Sequence, residues 1–279
     1  MTPPVMLRRR DGGPLAAHHL GGDGPPVLLS HATGFHGRCY RNLAAHITGW
    51  SVWALDYRGH GASRDGAAEP LDWWCFVDDL DVVVEHLGSN GPIPVVGHSM
   101  GAATVLLAAL RGQDGIAGLV GFEPIAPPPS DMDPDALPIA QGARRRRAVF
   151  DSVESAIANY ASKPPLAALA ADVLDDYVRF GTIECDNGVE LACRPSFEAA
   201  VFTSAHRNGL FERLTEIDLD VTVISGIVEE MQPSTFASAI AERLPNGRLI
   251  NRSDLDHFGP FVDPASTAAT INEALSSYR

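Results

Sequence analysis

Along the first 125 residues, short unbroken apolar runs alternate with segments whose apolar positions recur every three or four residues. The runs are Val27–Ser30, Ser51–Leu55, Ile93–Val96 and Ile116–Phe122, each bounded by turn residues. Continuous rather than alternating hydrophobicity suits strands covered on both faces of a parallel sheet. Between them, Trp73–Leu87 places Trp74, Val77, Leu80, Val84 and Leu87 on one helical face. Met100–Leu110 is small and apolar all round, as a helix packed inside should be. This β-α-β-α rhythm predicts a doubly wound, mostly parallel α/β sheet. Ahead of it, Val5–Leu20 with Asp11-Gly12-Gly13 in its middle reads as an antiparallel hairpin.

The rhythm stops at Pro127-Pro128-Pro129. From Ser130 to about Leu214 no strand pattern is visible, only helix-like segments such as Ala156–Tyr160, Leu166–Phe180 and Phe197–Arg207. It resumes with Val221–Ser225, the helical Phe236–Leu244 and Arg248–Asn251. A last helix follows Asp263-Pro264, where proline suits the first helical position. The expected organisation is a core of residues 1–126 and 215–279 interrupted by an α-helical cap, 127–214.

Composition narrows the function. The chain has 279 residues, 45% hydrophobic and 20% charged, as folded proteins do. A net charge of −14 argues against nucleic acid and anionic membranes as partners. The longest apolar runs, such as Ala102–Leu110, fall well short of the roughly 20 residues that cross a bilayer. The arginines of Met1–Arg10 have no signal-like apolar stretch behind them. Cys39, Cys75, Cys185 and Cys193 form no CxxC pair and are expected to be reduced and idle, so the chain reads as cytoplasmic. No metal or nucleotide motif is present; the expected partner is a small-molecule substrate, without cofactor, and a homo-oligomer is compatible with the sequence.

The sharpest chemical signal is Gly97-His98-Ser99-Met100-Gly101, which fits G-x-S-x-G between a predicted strand and a predicted helix. Small residues permit a tight turn, and a strained central serine presents its hydroxyl above the sheet. A serine hydroxyl is a weak nucleophile and requires a base held in the right tautomer.

Here the chain resembles the α/β-hydrolase family over nearly its whole length. Ser30-His31-Ala32-Thr33-Gly34-Phe35 looks like that family's oxyanion loop, with Ala32 where glycine is usual. The resemblance implies an oxyanion hole made by the backbone N–H groups of Thr33 and Met100. It also assigns the base to His257, in Asp256-His257-Phe258-Gly259-Pro260. Asp56-Tyr57-Arg58-Gly59-His60-Gly61-Ala62-Ser63 matches a structural turn of the family, in which Asp56 and Arg58 are expected to pair.

The acid has two candidates. Glu229, in Gly226-Ile227-Val228-Glu229-Glu230-Met231-Gln232-Pro233, sits at the family's usual position, though as glutamate instead of aspartate. Glu123, in Gly121-Phe122-Glu123-Pro124, closes the strand before the cap, the position from which haloalkane dehalogenases and zearalenone-type lactonases take their acid. Glu123 is slightly favoured, and the choice stays open at this level.

With serine rather than aspartate at the elbow, the implied chemistry is acyl transfer: a serine hydrolase of a small, hydrophobic ester or lactone. Other readings are a C–C bond hydrolase, a cofactor-free enzyme of proton transfer or perhydrolysis, and a non-catalytic receptor on the same fold. Phe150, Tyr160, Tyr177, Phe180, Phe197 and Phe202 are expected to build the cap's core and its pocket. Arg144-Arg145-Arg146-Arg147 points in four directions on a helix, so one or two could neutralise a substrate carboxylate while the rest face solvent. His36 is expected at the cleft rim as an extra polar substrate contact.

Overall fold

The computed structural model describes residues 2–64, 71–229 and 232–279. Its centre is an eight-stranded sheet in the order β1-β2-β4-β3-β5-β6-β10-β11. The strands are β1 (Val5–Arg8), β2 (Pro14–Gly21), β3 (Pro26–Ser30), β4 (Ser51–Asp56), β5 (Ile93–His98), β6 (Ile116–Phe122), β10 (Val221–Ser225) and β11 (Gly247–Asn251). β2 runs antiparallel to both β1 and β4, and the pairs from β4 to β11 are parallel. The apolar runs fall on the strands they predict, because a strand packed on both faces has no polar side to show.

Helices cover both faces. Trp74–Leu87 packs on Met100–Leu110, which lies against β5 and β6. Met100–Ala108 is buried throughout, which explains its lack of a polar face. Two apolar clusters follow from this layering. One holds Phe76, Leu80, Val105 and Leu219; the other holds Trp50, Phe122, Phe261 and Ile271.

The inserted region departs from the purely helical expectation. Helices Pro138–Arg144, Val153–Ala161, Ala171–Gly181 and Pro195–Ser204 dominate it. It also carries a small antiparallel sheet of β7 (Val149–Phe150), β8 (Thr182–Cys185) and β9 (Gly188–Leu191), in the order β7-β9-β8. These strands span two to four residues, too short for any period to register. Asp186-Asn187-Gly188 makes their turn, and Gly188 takes a φ of +119° there. Val201, Ala205, Leu210 and Leu214 bury into the core cluster, so the end of the insertion is stitched to the sheet.

Candidate active site

Ser99 lies at the carboxyl end of β5 with φ 56° and ψ −118°, a conformation that L residues rarely adopt. The flanking glycines have a direct steric cause. A Cβ on Gly97 would lie 2.5 Å from the Ala102 Cα, and one on Gly101 would lie 2.1 Å from the Ser30 carbonyl oxygen. The Ser99 amide donates to the Phe122 carbonyl at 2.9 Å, tying the turn to β6.

The second left-handed non-glycine residue is Glu123, at φ 46°, just past β6. Its side chain is fully buried and bridges two loops. Oε1 accepts from the Gly226 amide at 2.7 Å, and Oε2 lies 2.6 Å from His257 Nδ1. This contact fixes the His257 ring with Nε2 as the free edge. A Cβ at Gly226 would sit 2.9 Å from Glu123 Oε1 and 2.5 Å from the Leu255 carbonyl oxygen, so glycine there admits the carboxylate. Glu229 is exposed on the loop beyond. Glu230 and Met231 lie outside the described residues.

His98 joins the elbow to the histidine loop. Its Nε2 is 2.9 Å from the His257 carbonyl oxygen, and its ring centroid is 4.9 Å from that of His257. Its Nδ1 is 2.8 Å from the Tyr40 hydroxyl, which accepts from the Ala32 amide at 3.1 Å. With its lone pair so used, the Tyr40 hydroxyl donates to Nδ1, and His98 Nε2–H donates to His257. Burial, with His257 nearby, holds the His98 pKa well below the usual histidine value, in keeping with this neutral tautomer. None of the His257 hydrogen bonds reaches the Ser99 hydroxyl; such contacts commonly tighten only with substrate bound.

The loop after β3, expected from the sequence to be the oxyanion loop, is held by several hydrogen bonds. His31 accepts from the Tyr57 amide at 2.9 Å, and its other nitrogen is 2.8 Å from the Ala32 carbonyl oxygen. His60 Nε2 accepts from the Gly34 amide at 3.1 Å. Among the described residues, neither the Thr33 nor the Met100 amide finds a protein acceptor. Met100 opens its helix, where an amide lacks an intrahelical partner and the dipole favours negative charge. Among the described residues, no group of three or more His, Cys, Asp or Glu could hold a metal.

Comparison with known proteins bears on the fold and on the class of relatives. A family model described as serine aminopeptidase, S33, matches residues 25–163. The crystal structure of E-2-(acetamidomethylene)succinate hydrolase superposes with a TM-score of 0.82 at 21% identity, covering 98% of this chain and 99% of that one. The chain has the α/β-hydrolase fold. Lipase LipV of Mycobacterium tuberculosis is 35% identical over 111 residues, and the chain spans only 41% of that lipase's length. A bifunctional esterase/perhydrolase of Acinetobacter calcoaceticus is 25% identical over 248 residues, 82% of each chain.

Two expectations from the sequence are corrected, and a third is refined. Asp56 and Arg58 do not pair. Arg58 makes a two-pronged contact with Asp79, Nη2–Oδ1 2.6 Å and Nε–Oδ2 2.9 Å. Asp56 faces His18 at 2.9 Å and accepts the Gly37 and Ala62 amides. His36 is not on the rim: it is 2% exposed, with Nε2 3.2 Å from the Tyr177 carbonyl oxygen, under the cap. The arginine run 144–147 does not lie on one helix, since the helix ends at Arg144, and of its four arginines Arg146 is the one that leaves the surface. It turns inward to Glu198 at 2.6 Å and to the hydroxyls of Tyr160 and Tyr177, while Arg144 and Arg147 pair with surface Asp135 and Asp151.

Sequence reasoning passed over Tyr40, His98 and His60 as parts of the site. Their only signal was their place in the turns around the elbow, since each acts through backbone partners that a sequence does not display. The cysteines are unpaired, with Cys75 and Cys185 only partly buried. Among the described residues no helix is long and apolar enough to cross a membrane.

Proposed function

We propose that the protein is a serine hydrolase of small carboxylic esters, working through an acyl-enzyme. Ser99 is the nucleophile, His257 the base and Glu123 the acid. The observation that carries this reading is the 2.6 Å contact between Glu123 and His257 beside a strained Ser99 elbow. Two carboxylates compete on sequence grounds, and the hydrogen bond between Glu123 and the imidazole, with Glu229 exposed, supports Glu123.

In the proposed reaction, His257 Nε2 takes the Ser99 proton as Oγ attacks the ester carbonyl. Glu123 holds the imidazole in the tautomer that leaves Nε2 free to accept, and stabilises the imidazolium that forms. The Thr33 and Met100 amides receive the oxyanion, an effect worth about 3–4 kcal/mol per donor. His257 then returns the proton to the departing alkoxide, and a water it activates releases the acid. Lipase and esterase relatives support the ester class; a lactone is the cyclic case of the same bond.

The test is to quench the protein in acid during turnover of p-nitrophenyl butyrate and map its peptides. The reading predicts one butyryl group on the Ser99 peptide, absent from Ser99→Ala. No adduct in either, with p-nitrophenol still released, would refute the covalent route. A second reading, release of the acyl group to hydrogen peroxide as a peracid, is favoured by the esterase/perhydrolase relative that aligns over 82% of both chains. Peracid formation in added peroxide decides it.

A further inference from the structure

Between cap and core lies a narrow cavity lined by Phe35, His36, Arg146, Tyr160 and Tyr177, with Gly34 at its edge. Gly34, on the cavity's edge, directly follows Thr33, whose amide is a proposed oxyanion donor. Its free space suits about one water-sized group. A fully apolar wall would leave such a hole dry, yet this one is lined by donors.

The donor count is specific. Arg146 Nη2 lies 3.0 Å from the Tyr160 hydroxyl and 2.5 Å from the Tyr177 hydroxyl. A guanidinium only donates, so both phenol oxygens accept, and each retains its own hydrogen to give. Among the described residues no protein acceptor takes either hydrogen. Tyr160 is 8% and Tyr177 5% exposed, so an unmet hydroxyl there is costly. Burial pushes the Tyr177 pKa up, so the hydroxyl keeps the proton it would donate.

Charge selects the acceptor. Arg146 is already neutralised by Glu198, 2.6 Å away, and the Glu198 carboxylate lies against Gly34. A substrate carboxylate entering here would meet a second carboxylate and no spare cation. A neutral oxygen meets two donors and no repulsion.

We propose that Tyr160 and Tyr177 form a subsite for a second, neutral oxygen on the acyl part of the substrate, a keto or comparable carbonyl oxygen. This rests on the ester-hydrolase reading above. The substrate class becomes oxo-acyl esters rather than plain alkyl esters or half-esters of dicarboxylic acids. Arg146, oriented by Glu198, aims the two phenols and does not itself take the ligand.

The experiment measures kcat/KM for p-nitrophenyl 4-oxopentanoate and 5-oxohexanoate, for their 4-methylpentanoate and 5-methylhexanoate counterparts, and for the hemisuccinate. Wild type, Tyr160→Phe and Tyr177→Phe are compared, so intrinsic ester reactivity cancels in each ratio. The expected result is an oxo-to-alkyl preference for at least one chain length that falls about tenfold or more in each variant, a loss of about 1.4 kcal/mol, with no matching preference for the hemisuccinate. An unchanged ratio, or an equal loss on every substrate, overturns the subsite and leaves the tyrosines a structural role around a water. A hemisuccinate preference that tracks the tyrosines overturns the neutral class. If wild type cleaves none of these esters faster than Ser99→Ala, the hydrolase reading fails and this inference falls with it.

Discussion

Glu123 Oε2 lies 2.6 Å from His257 Nδ1 across 134 residues of chain. β6 and β10 are neighbours, with Phe122 beside Ile224, so Glu123 emerges next to the loop that starts at Gly226. That loop donates its first amide to Glu123, while Glu229 continues outward into solvent. Glu123→Gln therefore replaces an acceptor by an amide that can present a donor to Nδ1 and favour the wrong tautomer. We expect kcat on p-nitrophenyl butyrate to fall by about 10²–10⁴ at unchanged circular dichroism. Glu229→Gln should stay close to wild type. The opposite ranking would reassign the acid.

The chain Ala32 N–H, Tyr40 O–H, His98, His257 C=O ties the oxyanion loop to the histidine loop. Only a neutral side chain with one acceptor and one donor can complete it. His98→Leu should lower kcat by about tenfold or more with KM little altered, because loop placement matters mainly in the transition state. His98→Gln, which offers an acceptor and a donor, should recover much of that loss. If Gln and Leu are equally damaging, the hydrogen-bond chain is not what His98 contributes.

Arg58 and Asp79 form a buried pair, with side chains 7% and 0% exposed. Burial opposes the Arg58 charge, and Asp79 overcomes this and keeps the guanidinium protonated. Asp79→Ala leaves that charge uncompensated except for half-exposed Asp11. The expected cost is about 3–5 kcal/mol in urea unfolding. Activity per folded molecule should change far less than stability, since the pair lies in the turn scaffold, away from Ser99.

Burial pushes the His60 pKa from 6.5 down to about 4. Nearby Asp56 pulls the other way without overcoming it. The unfolded chain binds a proton at His60 below pH 6.5 and the folded protein refuses it until about 4. His60 thus contributes its full stabilisation above pH 6.5 and loses it as pH falls toward 4, roughly 3 kcal/mol over the window. His31 and His98, also held low by burial, steepen the same decline. Unfolding free energies between pH 7.5 and 4 should show this fall, and His60→Asn should flatten part of it. A flat profile would mean that these imidazoles are not buried as described.

The core strands were legible because a parallel sheet covered on both faces writes continuous apolar runs into the sequence, as at Ile93–Val96 and Ile116–Phe122. The elbow was legible because Gly97 and Gly101 are forced by backbone contacts that no other residue tolerates. β7 to β9 were not, being too short to carry a period. The pairing of Arg58 was misread because its partner, Asp79, lies on a different element and looks like any polar position on a helix. Arg146 was hidden in a run of four arginines, and only the fold separates the inward one from its solvated neighbours. Glu123 meets His257 through strand adjacency, a long-range property that local spacing does not encode.

Ser99 is proposed to cleave esters with the help of His257 and Glu123. The most direct test is the rate of p-nitrophenyl butyrate hydrolysis by wild type beside Ser99→Ala at equal concentration and matched folding. Wild type should turn the ester over, and the variant should lose about 10³-fold or more, down to what the oxyanion hole and binding alone supply. Equal rates in the two proteins would contradict this role for Ser99.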